Sequence, residues 1–129
     1  LPAIEINLHT DKAECGGNNG SLTDLNGAGY VIHSCGVDFT LLHELAHAWD
    51  MHTLDDETRV EFLEIAQADT WNNSENWNLA GGEHAANVIA WGLMDEDIGL
   101  VRIGDPPCRL AADAFELLTG TLPIRSCTG

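Results

Sequence analysis

Apolar positions along this chain repeat with two different periods. Over residues 3–9, Ile4, Ile6 and Leu8 alternate with Glu5 and Asn7, the period of two expected of a strand with one buried face. Residues 29–33, Gly-Tyr-Val-Ile-His, read as a second strand, ended by Ser34-Cys35-Gly36. Between the two, residues 15–29 are rich in Gly and Asn and predict an irregular loop. From there the period lengthens. Leu41, Leu42, Leu45, Ala48 and Trp49 supply the apolar face of a helix, capped by Asp38 or Thr40 and running to about Met51 or His52. Asp55-Asp56-Glu57-Thr58 puts acidic residues in the first turn of a second helix, where they suit its dipole. Its stripe is Val60, Leu63, Ile65 and Ala66. Residues 69–82 form a polar, Asn-rich loop whose Trp71 and Trp77 are expected to pin it to the body. A third helix runs from Glu83 to about Met94 with Ala86, Ile89, Ala90 and Leu93 inward, and Asp95-Glu96-Asp97 reads as a solvated turn. A fourth starts near Asp105-Pro106-Pro107, carries Leu110, Ala111, Ala114, Phe115, Leu117 and Leu118, and stops at Gly120.

Two strands among four helices predict an α+β fold, a short antiparallel or mixed sheet packed on helices. At 129 residues the chain fits a single domain, residues 1–129, long enough to bury a proper core. Its apolar runs are too short to span a bilayer. Twenty-one acidic residues stand against five basic ones, a formal net charge of −16. Nucleic-acid backbones need clustered Lys and Arg, so that class of partner is excluded. The charge serves solubility or a saline medium; as a steering field it would favour basic peptides.

Cys15, Cys35, Cys108 and Cys127 include no C-x-x-C pair, which argues against a cysteine zinc knuckle. They predict two disulfides, Cys15 with Cys35 and Cys108 with Cys127 favoured among three connectivities, and a secreted or otherwise extracytoplasmic protein. No charged-then-apolar segment opens the sequence, so any targeting segment has been removed or lies outside it. A monomer is expected.

The chemistry concentrates in His43-Glu44-Leu45-Ala46-His47. Two histidines four apart share one helix face, so both imidazoles reach one metal ion, and Glu44 is angled toward a water on it. A catalytic zinc takes three protein ligands and leaves its fourth position open. The best third ligand is Glu83, with Asn87 one turn later on the same face, placed to hydrogen-bond a ligand histidine and hold its tautomer. His84 points about 100° away around the helix, which favours Glu83 over it. A third histidine six residues after His47 is missing, since position 53 is Thr and His52 falls one short. His52 is then a helix C-terminal cation. His9 reads as a surface strand residue, and His33 could line a cleft from the end of its strand.

These residues resemble the gluzincins, zinc metallopeptidases in which H-E-x-x-H is completed by a Glu on a later helix. The run Glu83-x-x-Ala86-Asn87-x-Ile89-Ala90-x-x-Leu93-Met94 is also similar to a stretch of the ImmA/IrrE-like metallopeptidases. The resemblance covers residues 29–94 at most, and neither the flanks nor the cysteines share it. It implies a minimal zincin-like fold and one catalytic zinc on His43, His47 and Glu83. Glu44 would be the general base, and Asn87 would take the place of an Asp that orients a ligand histidine. The substrate would be a peptide or protein, bound in extended form along the strand of Tyr30 and His33. Gluzincins often stabilise the tetrahedral intermediate with a Tyr, His or Arg; here that helper is the missing piece, since Tyr30 is the single tyrosine and Arg102, Arg109 and Arg125 read as surface or ion-pair residues. The alternatives are a zinc-binding module without turnover, serving adhesion or signalling, and an acidic structural domain whose motif is accidental.

Overall fold

The computed structural model describes residues 3–15, 20–26, 28–36, 39–73, 75–76, 79–94 and 107–124. Among them are three strands, β1 (Ile4–Leu8), β2 (Gly20–Asp24) and β3 (Tyr30–Ser34), and four helices. The helices are α1 (Phe39–Thr53), α2 (Asp56–Ala66), α3 (Gly81–Gly92) and α4 (Pro107–Thr119), and a short 3₁₀ turn follows β1 at Lys12–Cys15. The class is α+β, as the hydrophobic pattern implied. The sheet is mixed, in the order β1-β3-β2. β1 runs parallel to β3 with Ile6 opposite Ile32, while β2 runs antiparallel with Leu22 opposite the same Ile32.

β2 corrects the expectation of an irregular loop over residues 15–29. Only Leu22 of its five residues is apolar, so no hydrophobic alternation betrays it. Its order comes from backbone pairing to β3 and from a hairpin in which Leu25 N–H donates to Gly29 O at 2.9 Å. The sequence signal for that hairpin is the Asn26-Gly27 dipeptide before a β-branched run.

The main core gathers Ala46, Phe62, Ala66, Ala85, Ala86, Val88, Ile89, Ala114, Phe115 and Leu118 from all four helices. α1 lies between the sheet and α3, touching β2 and β3 on one side. Its buried face carries Ala46 and Ala48, while Leu41, Leu42 and Leu45, expected to cover it, are half-buried. In α2 the expected stripe is rotated: Val60 is 57% exposed and Phe62 is fully buried. Phe62 meets Trp71 edge-on at 5.9 Å, a partner that lies outside the helical window. α3 starts two residues before Glu83, and Leu93 is exposed just beyond its end.

The caps follow the sequence where they can be described. Asp55 caps α2 by accepting from Thr58 N–H at 2.8 Å, which holds the Asp55 carboxyl below its ordinary range. Thr40 lies inside α1 and does not cap it, and Asp38 lies outside the described residues. Gly120, with φ at +75°, ends α4 as expected. The Cys15–Cys35 disulfide forms. No described cysteine is free, and Cys127 lies outside the described residues, as do Trp77, the 95–97 turn, Asp105, Arg102 and Arg125. Among the described residues no helix is long and apolar enough to cross a membrane.

Candidate metal centre

Two helices bring the site together because their contact is lined with alanine. Ala46 of α1 and Ala85 and Ala86 of α3 are buried, and small side chains at a crossing let helix axes approach closely. Each helix then presents an i,i+4 pair to the other, His43 and His47 from α1 and Glu83 and Asn87 from α3.

The contacts are specific. His43 Nδ1 lies 2.7 Å from Asn87 Oδ1. A carbonyl oxygen only accepts, so Nδ1 carries the proton and Nε2 is left with a lone pair when the ring is neutral. That Nε2 lies 2.9 Å from Glu83 Oε1 and 3.1 Å from His47 Nε2. His47 Nε2 is in turn 3.1 Å from both Glu83 oxygens. Two imidazole nitrogens and a carboxylate, each able to serve as a metal ligand, thus converge on one point. A proton on His47 Nε2 or a metal ion among them satisfies the group. His43, His47 and Glu83 form the one group of three among the described residues placed to hold a metal ion.

The electrostatics agree with this geometry. Burial alone would raise the Glu83 pKa, but hydrogen bonds from His43 and His47 and their positive charge hold it at about 2. Burial alone would lower the His47 pKa; the Glu83 hydrogen bond and charge, with Glu44 and Asp50 adding, raise it instead. Glu44 is 8% exposed beside the cluster. Its desolvation raises its pKa above the ordinary carboxylate value against the lowering effect of His47 and His43, and Glu83 adds to the rise. A Cβ on Gly20 would stand 3.2 Å from Glu44 Cγ and 2.9 Å from Thr40 Cγ2. The first residue of β2 therefore rests against the stem of Glu44, and any side chain there would press on it.

Other expected site residues fall elsewhere. Tyr30, Ile32 and Ser34 are buried, and Val31 and His33, on the opposite face of the strand, are half-buried. His33 Nδ1 lies 2.8 Å from His9 Nε2, and His9 Nδ1 lies 2.9 Å from Glu14. His9 is therefore a member of a side-chain line across the sheet rather than a plain surface residue, and His33 joins that line instead of the metal group. β3 is the central strand with both edges paired, so it cannot receive an extended peptide; among the described residues the unpaired edge beside α1 belongs to β2. His84 is not part of the metal group, and His52 is exposed in the last turn of α1.

One cluster next to the site was not anticipated. Asp50, buried on α1 one turn after His47, receives Arg59 Nε at 2.9 Å and Trp71 Nε1 at 3.0 Å. Its signal in the sequence is a carboxylate three residues beyond the second histidine in a Leu- and Ala-rich helix. The Trp71 that was expected to pin its loop does so here.

No protein-family model matches the chain, and neither the curated proteins nor the solved structures provide a match.

Proposed function

We propose that this protein is a zinc-dependent peptidase of gluzincin type, with His43, His47 and Glu83 as metal ligands and Glu44 as general base. The observation that carries this reading is the convergence of two imidazole nitrogens and the Glu83 carboxylate, 2.9 to 3.1 Å apart. Two imidazoles and one carboxylate suit zinc, which takes nitrogen and oxygen ligands in fours and leaves one position for water or substrate. Zinc bound there would lower the pKa of a water to about 7 and polarise a substrate carbonyl.

The chain's own residues supply the rest. Glu44, with its pKa raised by burial, is suited to take the proton of the attacking water and return it to the leaving amine. Asn87 keeps the His43 proton on Nδ1 and its Nε2 lone pair free for the metal. The edge of β2 lies next to Glu44, where an extended peptide could pair as an added strand. The net charge of −16 favours basic peptides at such a site. The Cys15–Cys35 disulfide fits a protein that works outside the reducing cytosol.

A second reading, a zinc-binding module without turnover, is favoured by the neighbours of the cluster. Arg59 is held by Asp50 and Asp56, Arg109 is exposed on α4, and Tyr30 is buried in the sheet. None of these described residues is committed to a developing oxyanion. Elemental analysis of protein purified without added metal tests the shared part of the two readings. About one zinc per chain, lost in Glu83→Ala, supports the site; no zinc even after adding it back overturns both. Hydrolysis of an unstructured protein then separates them. Glu44→Ala should keep zinc and lose all cleavage, and cleavage that survives this change overturns the mechanism.

A further inference from the structure

The side chain that completes the metal group sits in the first turn of a helix that lacks a side-chain cap. Glu83 is the third residue of α3, whose N-cap is Ala80 and has no capping side chain. An uncapped first turn leaves its backbone N–H groups without partners and tends to fray. Here carbonyls of the preceding loop replace the missing cap. Gly81 N–H donates to Thr70 O at 2.8 Å, and Gly82 N–H donates to Trp71 O at 2.9 Å.

That loop is in turn tied to α1. The Trp71 indole N–H donates to Asp50 Oδ2 at 3.0 Å. Asp50 is fixed from its other side by Arg59, which donates to its Oδ1 at 2.9 Å and to its backbone oxygen at 3.0 Å. The indole also rests edge-on against the fully buried Phe62. A Cβ on Gly82 would stand only 2.9 Å from the indole nitrogen and 3.2 Å from Cδ1 and Cε2. The ring therefore lies directly against the first turn of α3, and glycine at 82 is what admits it.

We propose that Trp71, anchored by Asp50, is the positioning residue for Glu83. Asp50 stands one turn after His47, and Gly82 stands immediately before Glu83, so the Asp50–Trp71–Gly82 bridge joins the two helices that the metal group joins, beside it. It sets where the third ligand's backbone sits relative to His43 and His47. This inference rests on the metal site proposed above.

The test is zinc affinity, measured by competition with a chelator, in wild type, Trp71→Phe, Glu83→Ala and the double variant. Phenylalanine keeps an aromatic face toward Phe62 and removes the indole N–H. Partners that orient metal ligands typically contribute roughly 10- to 100-fold in affinity, so Trp71→Phe should weaken zinc binding by about tenfold or more. In the Glu83→Ala background the same change should have no further effect, because the ligand it positions is gone. Gly82→Ala, which pushes the indole off the helix turn, should repeat both results and serves if Trp71→Phe does not fold. Wild-type affinity in both variants overturns the proposal. So does an equal fold-loss with and without Glu83, which would mean that Trp71 supports the domain and not the ligand. Wild type that binds no zinc, or binds it equally without Glu83, overturns the metal site itself and this inference with it.

Discussion

Replacing Asn87 with alanine removes the oxygen that accepts from His43 Nδ1–H at 2.7 Å. His43 is 7% exposed, so water does not readily take over the bond. Leaving a buried donor unpaired costs about 1–3 kcal/mol. The ring can avoid that cost by moving its proton to Nε2, but Nε2 is the atom that faces Glu83 and His47 and must carry a lone pair to bind a metal. At the proposed zinc site either route weakens binding, by roughly 10- to 100-fold, equivalent to about 1.4 to 2.8 kcal/mol. Asn87→Asp provides the control, since a carboxylate still accepts from Nδ1–H and makes the ring a better donor to the metal. The expected order of zinc affinity is Asp at least equal to Asn, and both well above Ala, read by chelator competition at pH 7 with the folded fraction checked by circular dichroism. Alanine binding as tightly as asparagine, or aspartate losing as much as alanine, would refute the assigned tautomer.

Three further predictions concern the protein as a whole. In the metal-free protein, Glu83 has a folded pKa of about 2, below its ordinary 4.5, so its stabilisation is full above about pH 4.5 and is lost as pH falls toward 2. His47 is raised above 6.5, so its contribution is full below that value and is lost as pH rises through the folded pKa. Denaturant midpoints measured against pH should therefore fall on the acid side, and Glu83→Gln should flatten that limb; an unchanged limb contradicts the pairing. Replacing Cys15 and Cys35 together by serine opens a loop of 20 residues and should cost about 3 kcal/mol in urea unfolding. Phe62→Ala, at a fully buried position, should cost about 3–5 kcal/mol; a loss below about 1 kcal/mol would mean the core does not pass through Phe62.

The His43, His47 and Glu83 group was legible in the sequence because its geometry is almost entirely local. An i,i+4 pair is fixed by the helix alone, so His43 with His47 and Glu83 with Asn87 needed only two helices to be recognised. That the two pairs face each other depends on the crossing, and its sequence trace is weak: alanines at 46, 85 and 86 are ordinary helix formers. The sheet was half legible. β1 carries apolar alternation and β3 a short apolar run, whereas β2 carries one apolar side chain and is held by backbone pairing, which leaves little trace in residue type. The expectation that a peptide pairs along the strand of Tyr30 and His33 came with the resemblance and not from the residues; β2, which leaves little trace in residue type, makes that strand central.

The Asp50 cluster shows where local reasoning stops for a further reason. Asp50, Arg59 and Trp71 are separated by 9 and 12 residues and belong to two helices and a loop. Taken singly, each has an ordinary reading: a polar residue on a helix, a surface cation, a loop tryptophan. Together they form an ion pair and a hydrogen bond around one buried carboxylate, with the Arg59 guanidinium 5.8 Å over the indole. A buried carboxylate demands partners wherever they come from in the chain, so the informative feature was Asp50 alone: an acid on the buried face of α1, one turn beyond His47. The same constraint governs Glu83. Asp50 is buried and Glu83 half-buried beside α1, one met by Arg59 and Trp71 and the other by two imidazoles. Arg59 and Trp71 satisfy the Asp50 carboxylate, whereas the Glu83 cluster gathers three side chains able to serve as metal ligands, and this difference separates a structural tie from a candidate metal site.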